Sequence, residues 1–456
     1  MITTKKYMPF LKLDQVRLKC DNIISQHSWL IVFIILVVSL IVRIIVLSNN
    51  YEILYRGDAV QYLRLGSELA EGKGFIDYKT RLPYAYWPPG WPIIISLIYK
   101  IFGHHEFLLR IYQIIVSAFL CSGVFLLAKE IFNDRIGLFA ALFCALYSAF
   151  LHPQIGFVNL LNDPTYHFLL IIGLLFFFKG EKKAYYYFLS GLVLGFNALV
   201  KPNGLVVPVI LIATLLIQLG FQKDLFKNAL LVVLGFIISV LPWTYRNHLV
   251  LNRLVLVSTN SGVNMYVGNA TTFANKLRQG DCYYEMIRAQ GDGYEQGKIL
   301  NKRGIEFLLN NIKNDPQKFL KKLKYHFDPF LAYKIKISNK LETISKYNWM
   351  YVFLVPFIIF GFKSQLKNKF IILSAFFLSM NTVTALIYQG AVRYRLIIEP
   401  LLIIVGVMGI TKFVDRSFFR FSGMLFWLLI NGLIGIFFPT EFPKLLMNFV
   451  PGSDAI

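Results

Sequence analysis

Long apolar runs recur along the whole chain, and short polar segments separate them. A run of this length crosses a bilayer as an α-helix, because a helix satisfies its own backbone hydrogen bonds in hydrocarbon. The pattern predicts an all-α polytopic membrane protein with about 11 (11–13) transmembrane helices. A further apolar stretch, Trp91–Phe102, is too short to span, and it is either an interfacial or re-entrant segment or a twelfth helix. The predicted spans are 29–48, 106–128, 137–152, 164–179, 185–200, 204–220, 228–246, 348–362, 370–389, 396–412 and 421–438.

Two polar segments between the spans, 49–90 and 247–347, are too long to be simple turns. The second predicts a small mixed α/β outer domain, with strand-like alternation over 254–267 and helical patterns at about 294–310 and 316–326. The last pattern places lysines beside apolar residues, so this helix either lies on the membrane surface or presents a solvated face. The chain then divides into an N-terminal membrane module 1–246, an extracytoplasmic loop domain 247–347 and C-terminal transmembrane helices 348–456.

Charge gives the predicted orientation. The 456 residues are 56% hydrophobic and 16% charged, with a formal net charge of +22. A nucleic-acid-binding protein needs a basic stripe on a water-soluble face. Here lysine and arginine lie in short loops between apolar runs, so membrane lipids are the expected electrostatic partner and nucleic acid is not. Because these residues concentrate in 1–28 and in alternate loops, we expect a multi-pass protein of the cell membrane, with a cytoplasmic N-terminus and with 49–90 and 247–347 outside.

Two carboxylates stand at the outer ends of predicted spans, where a charge is costly and usually has a reason. Asp58 follows Gly57 and either caps the next helix or serves as a general base or metal ligand. Asp163 precedes Pro164 and has the same alternatives. If both lie on one rim, they share a divalent metal ion or divide the roles of base and orienting group.

Basic residues collect at the same predicted rim. Arginine forks suit a phosphate or pyrophosphate, although helix-end cations also reach the headgroups without any catalytic role. Glu399 follows Arg395 by one helical turn, so this pair has a structural alternative. No Walker A, dinucleotide-binding or nucleophile-elbow motif accompanies them. The predicted substrate-binding or lipid-phosphate-binding residues are Arg81, Lys201, Arg246, Arg393, Arg395 and Glu399.

Several short motifs together resemble the GT-C membrane glycosyltransferases related to bacterial protein O-mannosyltransferases and aminoarabinose transferases. None is specific alone; the resemblance depends on their order and on their places relative to the predicted helices. They are Gly-Asp-Ala-Val-Gln-Tyr at 57–62, Gly-Lys-Gly-Phe at 72–75, Pro-Pro-Gly-Trp-Pro at 88–92, Leu-Ala-Lys-Glu-Ile-Phe at 127–132, Lys-Pro-Asn at 201–203, Pro-Trp-Thr-Tyr-Arg-Asn at 242–247, Ser-Thr-Asn-Ser-Gly at 258–262 with Gly-Asn at 268–269, and Arg-Tyr-Arg at 393–395 with Glu-Pro at 399–400.

The resemblance implies an inverting sugar transfer from a polyprenyl-phosphate donor to a lipid, glycan or protein acceptor. It places the catalytic carboxylate at Asp58, a supporting acid at Asp163 and the lipid phosphate near Lys201, Arg246 and Arg395. Ala59 stands where the family often has a second acid, which leaves the requirement for a divalent metal open. A transporter or lipid flippase is the alternative function, and a non-catalytic scaffold is another; neither the sugar nor the acceptor can be read from the sequence.

Overall fold

The computed structural model describes residues 8–50, 57–77, 81–152, 156–270, 294–337 and 340–414. Helices make up most of this part of the chain, and the sheet within it is a two-stranded antiparallel hairpin. The predicted span 421–438 lies outside the described residues.

The helices and strands named in the first half of the described chain are all helices. A 3-10 helix, Pro202–Val206, joins the seventh and eighth helices. The helices are α1 (Met8–Ser48), α2 (Asp58–Ala70), α3 (Gly90–Phe102), α4 (Glu106–Ile131), α5 (Asp134–Leu146), α6 (Asp163–Lys179), α7 (Tyr185–Val200), α8 (Val207–Leu219) and α9 (Lys223–Leu251).

The second half adds the hairpin between helices. Its strands pair from Phe330 with Tyr347 to Ile337 with Lys340. A second 3-10 helix, Leu396–Ile398, precedes the last described helix. The elements are α10 (Ser261–Asn269), α11 (Tyr294–Asn314), α12 (Gln317–Phe327), β1 (Phe330–Ile337), β2 (Lys340–Tyr347), α13 (Trp349–Ser364), α14 (Lys369–Ile387), α15 (Val392–Arg395) and α16 (Glu399–Val414).

The membrane-spanning character is confirmed, whereas the count of eleven spans stays a prediction. Every predicted span before residue 415 overlaps a helix of the structure. Three shorter apolar helices, α3, α7 and α13, add to the long ones. Within the described residues, six helical segments are long and apolar enough to cross a bilayer: Asn22–Ser48, Glu106–Ile131, Pro202–Leu219, Lys223–Leu251, Lys369–Ile387 and Val392–Phe413.

Large apolar side chains stand exposed along the spanning helices, as lipid contact requires. Phe33 and Ile44 on α1, and Leu230 and Leu241 on α9, are more than one-third exposed. In water such a surface would be unfavourable, but against hydrocarbon it carries no such cost. The opposite faces pack into one large core that joins α1, α4 to α9, α13, α14 and α16.

Helices α7 and α9 pack closely because glycines lie where they cross. Gly191 and Gly195 stand one turn apart on α7, and Gly235 faces them from α9. A Cβ at Gly191 would lie 2.1 Å from the Val232 carbonyl oxygen, and one at Gly235 would lie 2.2 Å from the Phe188 carbonyl oxygen. Small residues spaced by four allow this contact between membrane helices.

The segment 247–347 differs in part from its prediction. The two helical patterns are present as α11 and α12, but the alternation over 254–267 does not form a strand. Helix α9 instead continues to Leu251, and Ser261–Asn269 is helical. The strands that do form, β1 and β2, come later in the segment. Its status as a separate outer domain, and the division at 246 and 347, remain predictions.

The two long segments meet, and this contact positions the site. The backbone N–H of Thr259 donates to the Ala85 carbonyl oxygen at 2.9 Å. Arg246, at the end of α9, donates to the carbonyl oxygens of Tyr84 at 2.9 Å and Phe75 at 2.7 Å. Its guanidinium also lies over the Trp243 ring. The segment 75–85 is thereby fixed to the end of a spanning helix.

Candidate functional site

Asp58 begins α2, but its side chain does not cap that helix. The preceding Gly57 is the N-cap residue, with a positive φ of 58° that glycine adopts without strain. The Asp58 carboxylate instead accepts a hydrogen bond from Arg393, with Oδ2 2.9 Å from Nη1. Its side chain is 38% exposed. The interpretation of Asp58 as a cap alone is therefore wrong.

Asp163, at the start of α6, is the buried centre of the same cluster. Its side chain is 1% exposed. Lys201 Nζ donates to Oδ1 at 2.6 Å, while Arg393 Nη2 and Nε donate to Oδ2 at 3.1 and 3.2 Å. Four of the predicted site residues thus meet, although they come from four distant parts of the sequence.

The cluster pairs two carboxylates with two cations, which is how buried charges are normally accommodated. Lys201 ends α7, and the following Pro202 begins the 3-10 turn, so the ammonium group is held on short, ordered backbone. Burial lowers the pKa of Lys201, Arg393 adds to that effect, and Asp163 opposes it. The carboxylates therefore offset part of the cost of burying these two cations.

The cluster forms one end of a cavity of about 670 Å³. Asp58, Lys201 and Arg393 lie on its wall, whereas Asp163 is not among the lining residues. Asp58 is thus placed to meet a substrate, and Asp163 holds the two cations from behind. Aromatic and amide side chains also line the cavity, as do apolar side chains of α8 and α14. The aromatic and amide group includes Tyr62, Tyr84, Tyr86, Trp87, Asn260 and Asn264, and the apolar group includes Ile210, Phe377, Met380 and Ala385.

The geometry does not fit the prediction that Asp58 and Asp163 share a divalent metal ion. The Arg393 guanidinium stands between the two carboxylates and bonds to both. Lys201 adds a second cation beside Asp163. Among the residues that the structure describes, no group of three or more His, Cys, Asp and Glu side chains gathers closely enough to hold a metal. Arg393 supplies the positive charge at the position that a shared ion would need.

Arg81 and Arg246 lie away from this cluster. Arg81 pairs with Glu68 at 3.1 Å, and its backbone has a left-handed φ of 58°. Arg246 donates to loop carbonyl groups, as described above, and does not line the cavity. Both arginines hold the segment 68–85 in place, so their predicted contact with a lipid phosphate stays a prediction that this geometry does not favour.

Arg395 and Glu399 form a separate buried pair, with Nε 2.7 Å from Oε1. Both side chains are fully buried. Arg395 Nη1 also donates to the carbonyl oxygens of His326 and Asp328, at 3.1 and 2.9 Å, and its guanidinium lies over the Tyr351 ring. The structural alternative for this pair therefore agrees with the geometry, which ties α12 and β1 to the start of α16.

Sequence reasoning missed the aromatic and amide residues around the cluster. Tyr62 lies one helical turn after Asp58, so helical spacing alone places both on one face of α2. Asn162 donates to the Tyr62 hydroxyl at 3.2 Å and to the Val200 carbonyl oxygen at 2.7 Å. The Trp87 ring packs edge-on against Tyr62. Only the spacing of Tyr62 could have been used in advance, because the other contacts need the folded chain.

Part of the chain matches a known family model. Residues 87–245 match the model described as dolichyl-phosphate-mannose-protein mannosyltransferase. This match includes Asp163 and Lys201 but not Asp58 or Arg393. No curated protein sequence matches the chain.

Solved structures share the fold. The archaeal oligosaccharyltransferase AglB from Archaeoglobus fulgidus, in complex with an inhibitory peptide and a dolichol-phosphate, superposes with a TM-score of 0.52 at 16% identity. The alignment covers 90% of this chain and 54% of that one, so the chain spans about half the length of AglB. The same enzyme in complex with Zn and sulfate gives a TM-score of 0.52 at 17% identity, covering 90% and 52%.

A weaker similarity relates the chain to ArnT from Cupriavidus metallidurans bound to undecaprenyl phosphate. The TM-score is 0.42 at 14% identity, over 85% of this chain and 78% of ArnT. The family model and the AglB structures together confirm the resemblance to GT-C membrane glycosyltransferases that the motifs predict.

Proposed function

We propose that this protein transfers a sugar from a polyprenyl-phosphate donor to a hydroxyl group of a lipid, glycan or protein acceptor at the extracytoplasmic face of the membrane. The observation that carries the proposal is the meeting of Asp58, Lys201 and Arg393 on the wall of one cavity. Displacement at an anomeric carbon needs a base for the acceptor hydroxyl and positive charge for the departing phosphate. This wall offers both.

Each charged residue takes one role in this reaction. The acceptor oxygen attacks the anomeric carbon as the bond from that carbon to the phosphate oxygen breaks, which inverts the configuration. Asp58 takes the acceptor proton, and polyprenyl phosphate leaves with the bonding electrons. Lys201 and Arg393 stabilise the charge that grows on the phosphate. Asp163, buried behind them, positions both cations.

The apolar wall of the cavity supports a lipid-linked donor. Ile210 on α8 faces the cavity together with Phe377 and Met380 on α14, and both helices belong to segments apolar enough to span the membrane. An isoprenoid chain could lie against this wall while its phosphate reaches the charged end. A water-soluble nucleotide sugar would gain nothing from that surface.

The decisive experiment replaces Asp58 with asparagine, which keeps the shape of the side chain and removes the base. General-base catalysis contributes about 10²- to 10⁴-fold, so we expect sugar transfer to fall by at least about 10²-fold. The purified variant in nanodiscs would be supplied with lipid-linked sugars extracted from the host, and the transferred sugar would be measured.

The matched control is Asp224→Asn, because Asp224 is an exposed acid in the first turn of α9, and the whole of α8 separates it along the chain from Lys201. Full activity in Asp224→Asn and loss in Asp58→Asn support the enzyme. If Asp58→Asn folds and transfers sugar at the normal rate, the proposed role is wrong. If neither the native chain nor the variant transfers sugar but both move lipid across the bilayer, a flippase is the better interpretation.

A further inference from the structure

Helix α12 turns its polar face toward the protein and its apolar face outward. Lys318 Nζ donates to Asn311 Oδ1 at 2.7 Å, and Lys322 Nζ donates to Asn269 Oδ1 and the Leu386 carbonyl oxygen, both at 2.8 Å. His326, one turn further on, is fully buried. These positions are spaced by four, so they form one face of the helix, and that face is covered by protein.

The outward face of α12 carries apolar residues. Leu320 is 68% exposed, and Phe327, seven residues later, is also exposed. Lys324 stands exposed between them. A surface helix in water has the opposite arrangement, with apolar residues inside and lysines outside.

Helix α11, which Lys318 joins to α12 through Asn311, has an exposed apolar face of its own. Its buried face includes Leu300 and Asn311, and its exposed face carries Ile305, Leu309 and Ile312, of which Leu309 is 59% exposed. The spacing of four and three residues places these three side chains in one stripe. None of them belongs to a segment that could span the membrane. The apolar stripe of α11 and α12 therefore consists of Ile305, Leu309, Ile312, Leu320 and Phe327.

The stripe is attached where a spanning helix ends. The apolar helix α14 ends at Ile387. Lys322 bonds to the Leu386 carbonyl oxygen, and Asn269 Nδ2 bonds to the Ile387 carbonyl oxygen at 2.9 Å. These contacts hold α10 and α12 at the level where α14 leaves the hydrocarbon. An apolar surface fixed at that level has the phospholipid interface as its nearest neighbour.

We propose that the apolar stripe of α11 and α12 is a membrane-docking surface, seated in the phospholipid interface at the C-terminal end of α14. Lys324 on α12, and Lys302 and Lys313 on α11, are exposed and can reach the headgroups while the apolar side chains enter the acyl boundary. This proposal does not depend on the reaction that the cavity catalyses. It reverses the expected orientation of α12, because two of its lysines bind protein and not lipid.

The test measures lipid contact at single positions of the full chain. Leu309→Cys, Leu320→Cys and the control Arg303→Cys would each carry an environment-sensitive fluorophore, in a background with Cys20→Ser and Cys282→Ser. Arg303 is exposed on α11, away from the stripe. The protein would be reconstituted in nanodiscs of phosphatidylcholine and phosphatidylglycerol, with and without brominated acyl chains.

Labels at 309 and 320 should be quenched by the brominated lipid and shielded from an aqueous quencher, whereas the label at 303 should show the reverse. Equal access of the aqueous quencher to all three positions would overturn the proposal. Shielding from water without quenching by brominated lipid would also overturn it, because protein and not lipid would then cover the stripe. Melting temperatures of the three labelled variants equal to that of the unlabelled chain would show that each remains folded.

Discussion

A single guanidinium group, that of Arg393, joins the two carboxylates of the candidate site. One of its nitrogens bonds to Asp58, and two others bond to Asp163. The planar group therefore fixes where Asp58 lies relative to Asp163 behind it. Lysine carries the same charge on one nitrogen and cannot reproduce this fork.

Arg393→Lys should therefore keep the charge and lose the alignment. Misplacement of a reacting group by about 1 Å can cost about 10²-fold, and we expect a loss of that order in kcat/KM for sugar transfer. Binding of undecaprenyl phosphate, measured separately, should weaken much less. Arg303→Lys, on the exposed face of α11, is the matched control. A variant with unchanged kcat/KM would show that the fork has no part in the reaction.

The buried pair of Asp163 and Lys201 should show strong coupling. Asp163→Asn leaves two cations with less compensation, and removing one partner of a buried ion pair costs about 3–5 kcal/mol. Lys201→Met alone leaves the Arg393 bond to Asp163 intact and should cost less. In the double variant the losses should not add, with a coupling on the order of 1–3 kcal/mol. Thermal unfolding of all four proteins in one detergent measures the cycle, and strictly additive losses would mean that the 2.6 Å contact contributes nothing.

Sequence reasoning found the charged residues of the site, but it did not find that they form two separate groups. It placed Asp58, Asp163, Lys201 and Arg393 at one rim, and the structure brings these four together. It grouped Arg395 with them. Residues two apart on a helix point about 200° away from each other, so Arg393 and Arg395 cannot both face one cavity. That separation was available from the sequence, whereas the buried partners of Arg395 were not.

At the scale of elements, apolar periodicity predicted where helices form better than it predicted which of their faces the protein covers. The pattern at 316–326 predicted α12, yet it could not show which face the protein covers. Two lysines turn inward because Asn311, Asn269 and the last carbonyl groups of α14 are present as acceptors. These acceptors come from distant segments. The strand predicted from the alternation at 254–267 was wrong for a similar reason, since packing of α10 against α11 outweighs a weak local pattern.

The contribution of Lys322, which bonds to α10 and α14, to the stability of the folded chain should depend on pH. Burial, with a smaller contribution from Lys318, lowers the pKa of Lys322 to about 8 from its ordinary value of 10.5. Between these two values the unfolded chain holds the proton and the folded chain releases it, so stability rises with pH across that window. Below about pH 8 both forms are protonated, and the folded state carries the full cost of burying the charge.

Lys322→Met removes this group, so its stability should rise less with pH than that of the native chain between about pH 8 and pH 10.5. Melting temperatures at several pH values, taken as the difference between the two proteins, isolate Lys322 from other groups that titrate there. Lys321→Met is the control, because Lys321 has no bond to α10 or α14 in the described chain. Parallel pH curves for the native chain and Lys322→Met would contradict the expectation.

At the scale of the whole molecule, the contact between the two long segments limits the topology. Ala85 and Thr259 are hydrogen-bonded, so both lie on one side of the membrane. Between them, only three helical segments in the described chain are long and apolar enough to span: Glu106–Ile131, Pro202–Leu219 and Lys223–Leu251. Three crossings would leave the two residues on opposite sides. An odd number of the shorter helices α3, α5, α6 and α7 must therefore cross as well, and the charge pattern predicts that α5, α6 and α7 do.

This topology gives a labelling pattern that can be checked in intact cells. Lys73 in the first outer segment and Lys313 on α11 are exposed, and both should lie outside. Lys182, exposed between α6 and α7, should lie in the cytoplasm because three predicted spans separate it from Lys73. With Cys20→Ser and Cys282→Ser, a membrane-impermeant maleimide should label Lys73→Cys and Lys313→Cys directly, and Lys182→Cys only after permeabilisation. Direct labelling of Lys182→Cys would mean that the chain crosses an even number of times between residues 73 and 182. Either one of α5 and α6 would then have to be removed from the predicted spans, or α3 would have to be added to them.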